Sequence, residues 1–223
     1  MKLAALYSGG KDSAFAMYVA MQMGHEITCL VTVRPTDKAS WIFHTPNLSI
    51  VPIMAEAMGL ELITAESDGT EEGDMSALRK VLTGLDVEGV VAGALWSDYQ
   101  WDRMNMICGE LDLKFIAPLW RKDQDLLYDE MNSAGIKAIV AGVFAEGLDE
   151  KHLGMPLDSD MKSKLLELRG KYGVSIMGEG GEYESMTLDS PVYNSYLEIT
   201  DSEKLMERSA GTLNVKGVRL IPK

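Results

Sequence analysis

The chain is expected to be an α/β protein: a parallel sheet with helices on both faces, followed by a smaller α+β unit. Three observations predict it. Short apolar runs alternate with amphipathic stretches up to about residue 120. The runs are continuously apolar, as strands buried on both faces must be. The first of them ends in a pair of glycines where a helical pattern begins. Strands are expected over 2–7, 27–33, 60–65 and 89–94, with helices over 12–23, 48–58 and 73–85 between them. After Pro118-Leu119-Trp120 the character changes. A helix over 123–134, a buried strand over 136–143 and a helix over 159–172 precede alternating stretches at 196–200 and 212–221 that read as antiparallel strands. A boundary near residue 120 thus separates a Rossmann-like unit, 1–120, from an α+β unit, 121–223.

Composition narrows the function. Hydrophobic residues make up 46% and charged residues 25% of 223, ordinary values for a globular protein and not those of a disordered one. No apolar run is long enough to span a bilayer, so the expectation is a cytoplasmic protein with no membrane partner. Cys29 and Cys108 are the only cysteines; each sits in an apolar context without a CxxC pair, which signals neither zinc nor an iron–sulfur cluster. A net charge of -13 gives a mean field that repels nucleic acid and disfavours it as a partner. A homodimer is left open.

The glycine pair belongs to Ser8-Gly9-Gly10-Lys11-Asp12-Ser13. Glycines let the backbone approach an anion and adopt positive φ, while the orphan N–H groups of a first helical turn point at it. Ser8 and Ser13 add hydroxyl donors and Lys11 a positive charge. The spacing is not that of a P-loop, which needs four residues between its first glycine and a Gly-Lys-Ser/Thr triplet, so γ-phosphoryl transfer is not implied. The plainer reading is a tight strand-to-helix turn in which Asp12 or Ser13 caps the helix.

The six residues resemble the pyrophosphate loop of the ATP pyrophosphatases, which split ATP between its α and β phosphates. The scarcity of cysteine argues against the sulfur-transferring members. Four further segments resemble a narrower branch, the diphthine–ammonia ligases (diphthamide synthases) and their archaeal relatives, and point to an archaeal member. They are Trp41-Ile42-Phe43-His44-Thr45-Pro46-Asn47, Ser97-Asp98-Tyr99-Gln100 with Arg103, Pro118-Leu119-Trp120, and Gly178-Glu179-Gly180-Gly181-Glu182-Tyr183-Glu184. They run in family order over nearly the whole chain. The pattern departs at Trp101-Asp102, at Ser185-Met186, where threonine and an aliphatic are commoner, and at residues 151–155.

The resemblance implies a fold of the adenine nucleotide α-hydrolase type and an ATP-dependent amide ligase. ATP activates the carboxylate of diphthine on translation elongation factor two, and ammonia converts it to the amide of diphthamide, releasing AMP and pyrophosphate. Ser8, Gly9, Gly10, Lys11, Asp12, Ser13 and His44 would bind ATP. Asp12 would meet the phosphates through Mg²⁺, a helix N-cap being its alternative role. Arg103 shares a helical face with Tyr99 and could fork onto the α phosphate or the substrate carboxylate, an ion pair with Asp102 or Glu110 being the alternative. Ser97, Asp98, Tyr99 and Gln100 cluster just past a buried strand and are expected at the substrate. So is the acidic loop of Glu179, Gly180, Gly181, Glu182, Tyr183 and Glu184, whose carboxylates could take a proton from ammonium, Glu182 foremost, or hold a quaternary ammonium. Tyr183, Trp96, Tyr99, Trp101 and Trp120 could cage that cation. Asn47 reads as an N-cap. Ammonia would come from solution or another subunit, since neither cysteine sits in a glutaminase-like turn. The rival readings are an ATP pyrophosphatase acting on a small metabolite or a tRNA base, and a non-catalytic ATP-binding regulatory module.

Overall fold

A computed structural model describes residues 1–35 and 47–223 of the chain. Five strands, β1 (Lys2–Leu6), β2 (Glu26–Pro35), β3 (Glu61–Ser67), β4 (Gly89–Val91) and β5 (Lys114–Ile116), form one parallel sheet in the order β3-β2-β1-β4-β5. Its central strands are apolar on both faces because both are covered. Leu3, Ala5 and Leu30 pack with Phe15 and Met17 of α1 (Lys11–Gln22) and Met54 of α2 (Val51–Met58). Ala4, Cys29, Val31 and Val33 pack on the other side with Leu78 of α3 (Glu71–Thr83) and Ile107 of α4 (Asp98–Glu110). Both cysteines are free and buried.

The order of strands reverses between β1 and β4, and at such a switch the loops leaving the carboxyl ends diverge and open a crevice. Two details shape it. β4 ends at Val91, three residues short of the expected Ala94, so Ala92, Gly93 and Ala94 run on as a wall of the crevice. The three-residue β5 was not expected, since Lys-Phe-Ile is too short to show a period. A 3-10 turn, Leu48–Ile50, leads into α2, whose helix starts only at Val51.

The remainder is a four-stranded antiparallel sheet, order β7-β6-β9-β8, built from β6 (Lys137–Val143), β7 (Tyr183–Asp189), β8 (Ser195–Glu207) and β9 (Ala210–Pro222). Helices α5 (Gln124–Ser133) and α6 (Ser159–Tyr172) cover it through Leu127, Met131, Met161 and Leu165. β8 is far longer than the expected 196–200, because its outer half is exposed and held by backbone pairing with β9, with no apolar face to show in the pattern. Among the described residues no helix is long and apolar enough to cross a membrane.

The expected boundary near residue 120 falls in the turn between β5 and α5, yet one apolar cluster runs through both sheets. Polar contacts cross the same seam. The hydroxyls of Tyr7 and Tyr193 meet at 2.6 Å in the interior, and the Thr187 N–H donates to the Gly9 carbonyl at 2.8 Å. Asn47, expected as an N-cap, precedes the 3-10 turn with φ 67° but caps nothing with its side chain. Its amide instead clamps β9, donating to the Leu213 carbonyl at 2.8 Å and accepting from the Val215 N–H at 2.9 Å. Asn47→Ala leaves two backbone groups unpaired and puts alanine at positive φ. Urea unfolding should show a loss of about 1–3 kcal/mol, more than a surface substitution gives.

Candidate active site

The Ser8–Ser13 turn takes its shape from its neighbours. Gly9 sits at φ +82°, and a Cβ there would lie 2.9 Å from the Met54 sulfur, so glycine is required for both conformation and space. Gly10, in extended conformation, is the N-cap of α1 and supplies no side-chain cap. The expected cap at Asp12 or Ser13 is therefore corrected: the helix starts at Lys11, which places Asp12 inside its first turn. The Ser13 hydroxyl turns back to the Gly10 carbonyl at 2.9 Å and lies 3.4 Å from the Ser8 hydroxyl. Two hydroxyls thus lie side by side at the start of a helix, a place where an anion is favoured.

Lys11 is buried. Its ammonium donates to the Met177 carbonyl at 2.6 Å, pairs with Asp12 Oδ2 at 2.7 Å and stands 5.2 Å over the Tyr183 ring. Its backbone N–H donates to Ser185 Oγ at 3.1 Å. Ser185 is thus a supporting residue that the sequence reading missed. The other Asp12 oxygen, Oδ1, is buried without a hydrogen-bond partner.

Above the turn lies a cavity of about 460 Å³. Ser8, Lys11, Asp12 and Ser13 give it polar lining, and Val31, Val33, Leu48, Met75 and Leu78 give it apolar lining. Further lining comes from residues 92–94 with Ser97, Gln100 and Arg103, and from Gly178, Glu179, Gly181, Tyr183 and Glu184. Gly93 was not singled out in the sequence, where it is one small residue among several. A Cβ on it would lie 2.6 Å from the Asp12 carbonyl carbon and 2.7 Å from the Ser13 N, so only glycine lets the segment after β4 lean on the start of α1.

The acidic loop divides its carboxylates by task. Glu182 accepts from the Ser175 and Gly180 N–H groups, each at 2.8 Å, and does not line the cavity. The loop curls around this carboxylate, so Glu182, expected as a catalytic group, here braces the backbone. Gly180 takes part in that brace, and Gly181, at φ +77°, reaches the cavity wall. Glu179 accepts from the Trp96 N–H at 3.2 Å. Burial, reinforced by the nearby Asp12 charge, pushes Glu179 up to about 7 against the relief of Lys11. Burial likewise pushes Glu184 up to about 7, with Lys11 lowering it and Asp12 raising it.

The aromatic cage is not assembled. Tyr183 is buried, donates its hydroxyl to the Ile176 carbonyl at 2.7 Å and gives its ring face to Lys11. Arg121 lies between Trp96 (4.7 Å) and Trp120 (5.1 Å), while Trp120 stacks on Trp101 at 4.4 Å and Arg103 covers Tyr99 at 3.2 Å. The protein's own cations already occupy these π-faces. Ser97 caps α4 by accepting from the Gln100 N–H, and both residues line the cavity; Asp98, paired with Arg121 at 2.6 Å, and Tyr99 do not. Arg103 pairs with neither Asp102 nor Glu110 but with Glu71, because Glu110 is taken by Arg79 at 2.7 Å. His44 lies outside the described residues.

No group of three or more His, Cys, Asp or Glu that could hold a metal occurs among the described residues. The unpartnered Oδ1 of Asp12, a residue that lines the cavity, nevertheless fits one ligand of a Mg²⁺ ion whose other ligands are phosphate oxygens and water, the usual pattern for that ion.

A switch-point crevice with a glycine-and-hydroxyl cradle at a helix start defines a nucleotide-binding α/β protein. Residues 1–115 match the diphthamide synthase N-terminal domain and residues 123–221 its C-terminal domain. The chain is 39% identical to a diphthine–ammonia ligase of Bos taurus over 94% of its own length and 86% of that protein's. For those of Danio rerio and Homo sapiens the figures are 40% over 92% and 89%, and 38% over 94% and 86%. The chain belongs to the diphthamide synthase family. A solved structure described as a predicted subunit of a tRNA methyltransferase, from Methanocaldococcus jannaschii, aligns at 12% identity and a TM-score of 0.46, covering 86% of this chain and 98% of that one.

Two outcomes test this geometry. Gly93→Ala should force the start of α1 away from the segment after β4, costing about 1–3 kcal/mol in thermal unfolding and weakening ATP binding by calorimetry, while alanine at the exposed Gly170 should leave ATP binding unchanged. The second concerns pH. Folded protein keeps a proton on Glu184 up to about pH 7, whereas the unfolded chain releases it near 4.5, so this group's contribution to stability falls as pH rises from about 4.5 through 7. In buffer free of nucleotide and divalent cation, Glu184→Gln should match the parent at pH 4 and exceed it by on the order of 2 kcal/mol at pH 8.

Proposed function

We propose that the protein is an ATP-dependent amide ligase that adenylates the carboxylate of diphthine on translation elongation factor two and transfers it to ammonia. Diphthamide, AMP and pyrophosphate are the products. The observation that carries the reading is the Ser8–Ser13 cradle opening into a cavity that is also lined by carboxylates and an arginine. Membership of a family whose relatives are named diphthine–ammonia ligase supports the substrate.

In this reading the Ser8 and Ser13 hydroxyls and the N–H groups at the start of α1 stabilise the charge that grows on pyrophosphate as it leaves, and Lys11 adds its field from beneath. Asp12, with its free oxygen, would hold Mg²⁺, which when bound offsets the same charge. The apolar lining from Val31 to Leu78 receives the base. Arg103 forks onto the substrate carboxylate or the α phosphate. Glu179 and Glu184, with affinity for a proton near neutrality, hold ammonium and take the proton it sheds as it becomes a nucleophile. Units 1–120 and 121–223 divide the work, the first binding ATP and the second closing the cavity with its acidic loop.

A passive nucleotide-binding module has no use for two carboxylates of raised proton affinity beside the phosphate cradle. The test supplies ATP, ammonium and diphthine-bearing elongation factor. It should yield AMP and pyrophosphate in equal amounts and a factor whose mass shows a carboxyl turned into an amide. Ser13→Ala should lower kcat by about tenfold or more. ADP as product, or an unmodified factor with both substrates saturating, contradicts the proposal.

A further inference from the structure

Arg103 faces the cavity, but the groups that fix it lie outside. Its Nε–H donates to the Glu71 carboxylate at 2.6 Å and an Nη2–H donates to the same group, while Nη1 donates to the Tyr99 carbonyl at 3.1 Å. The guanidinium carbon stands 3.2 Å over the Tyr99 ring. The arginine plane is therefore gripped by edge, end and face. Of its five N–H groups three are engaged and two remain, on a side chain that lines the cavity.

Stability does not account for this grip. The Glu71 side chain is 51% exposed, and an ion pair at such a surface contributes about 1 kcal/mol or less. Glu71 is the first residue of α3, where any carboxylate gains about 0.3–1 kcal/mol from the helix dipole without reaching a neighbour. It reaches one nonetheless, 32 residues along the chain on the adjoining helix α4.

We infer that Glu71 is a positioning residue for the ligase reaction: with Tyr99 it aims the two free N–H groups of Arg103 at the reacting oxygens. The inference rests on the role given to Arg103 above. A fixed fork loses little on binding the transition state, whereas one that must be ordered during the reaction costs rate.

The experiment measures AMP release and amide formation with ATP, ammonium and the modified elongation factor for Glu71→Gln, Arg103→Ala, Arg103→Lys and the double variant Glu71→Gln/Arg103→Lys. Glu71→Gln should lower kcat by about tenfold, leave the KM for ATP within about twofold and move the Tm by only about 2 °C. The double variant should be no slower than Arg103→Lys alone, since a brace has nothing left to aim. If Arg103→Ala is slow and Glu71→Gln keeps its parent kcat, the brace is refuted while the role of Arg103 stands. A faster Glu71→Gln refutes it too, showing a latch instead. If Arg103→Ala keeps full activity, the reading of the site itself fails.

Discussion

The ammonium of Lys11 lies in the interior, and the site is organised around the need to keep it satisfied. An ion in such a place must be paired and hydrogen-bonded, and removing one partner of a buried pair typically costs about 3–5 kcal/mol. The partners come from both halves of the chain: Asp12 beside it on α1, the Met177 carbonyl and the face of Tyr183 from the far side. The Ser8–Ser13 turn is therefore braced by the second sheet, and the Thr187–Gly9 and Tyr7–Tyr193 contacts hold that docking. The same charge tempers Glu179 and Glu184, which burial and Asp12 would otherwise push further toward the neutral acid.

This arrangement explains how one short loop can carry three glutamates with different fates. Glu182 is satisfied by two backbone donors and acts as a fastener. Glu179 and Glu184 line the cavity, and burial, with the Asp12 charge adding to it, raises their affinity for protons. Burial is thus the main source of basicity here, and the neighbouring carboxylate reinforces it.

Much of the fold could be read from the chain because its physics is local. Continuous apolar runs in 2–7 and 27–33 can be buried only on two faces, and Gly9 next to a strand end announces a turn. What escaped depends on partners distant in sequence. Gly93 matters because α1 lies against it, Ser185 because it meets the Lys11 N–H, and Glu71 because α4 brings Arg103 alongside. Composition suggested an aromatic cage, but ring faces are a resource that arginines compete for, and Arg103 and Arg121 hold them. Asn47 had the residue type of a helix cap, and its amide found a strand edge instead.

Trp96, Arg121, Trp120 and Trp101 form a column that ends edge-on against Phe115. Three of the protein's four indoles are gathered there, and one of them shares a backbone bond with Glu179. Intrinsic ultraviolet emission from the molecule is thus weighted toward the surroundings of Glu179, which lines the cavity. The fold carries its own optical gauge of what enters, with no dye or label attached.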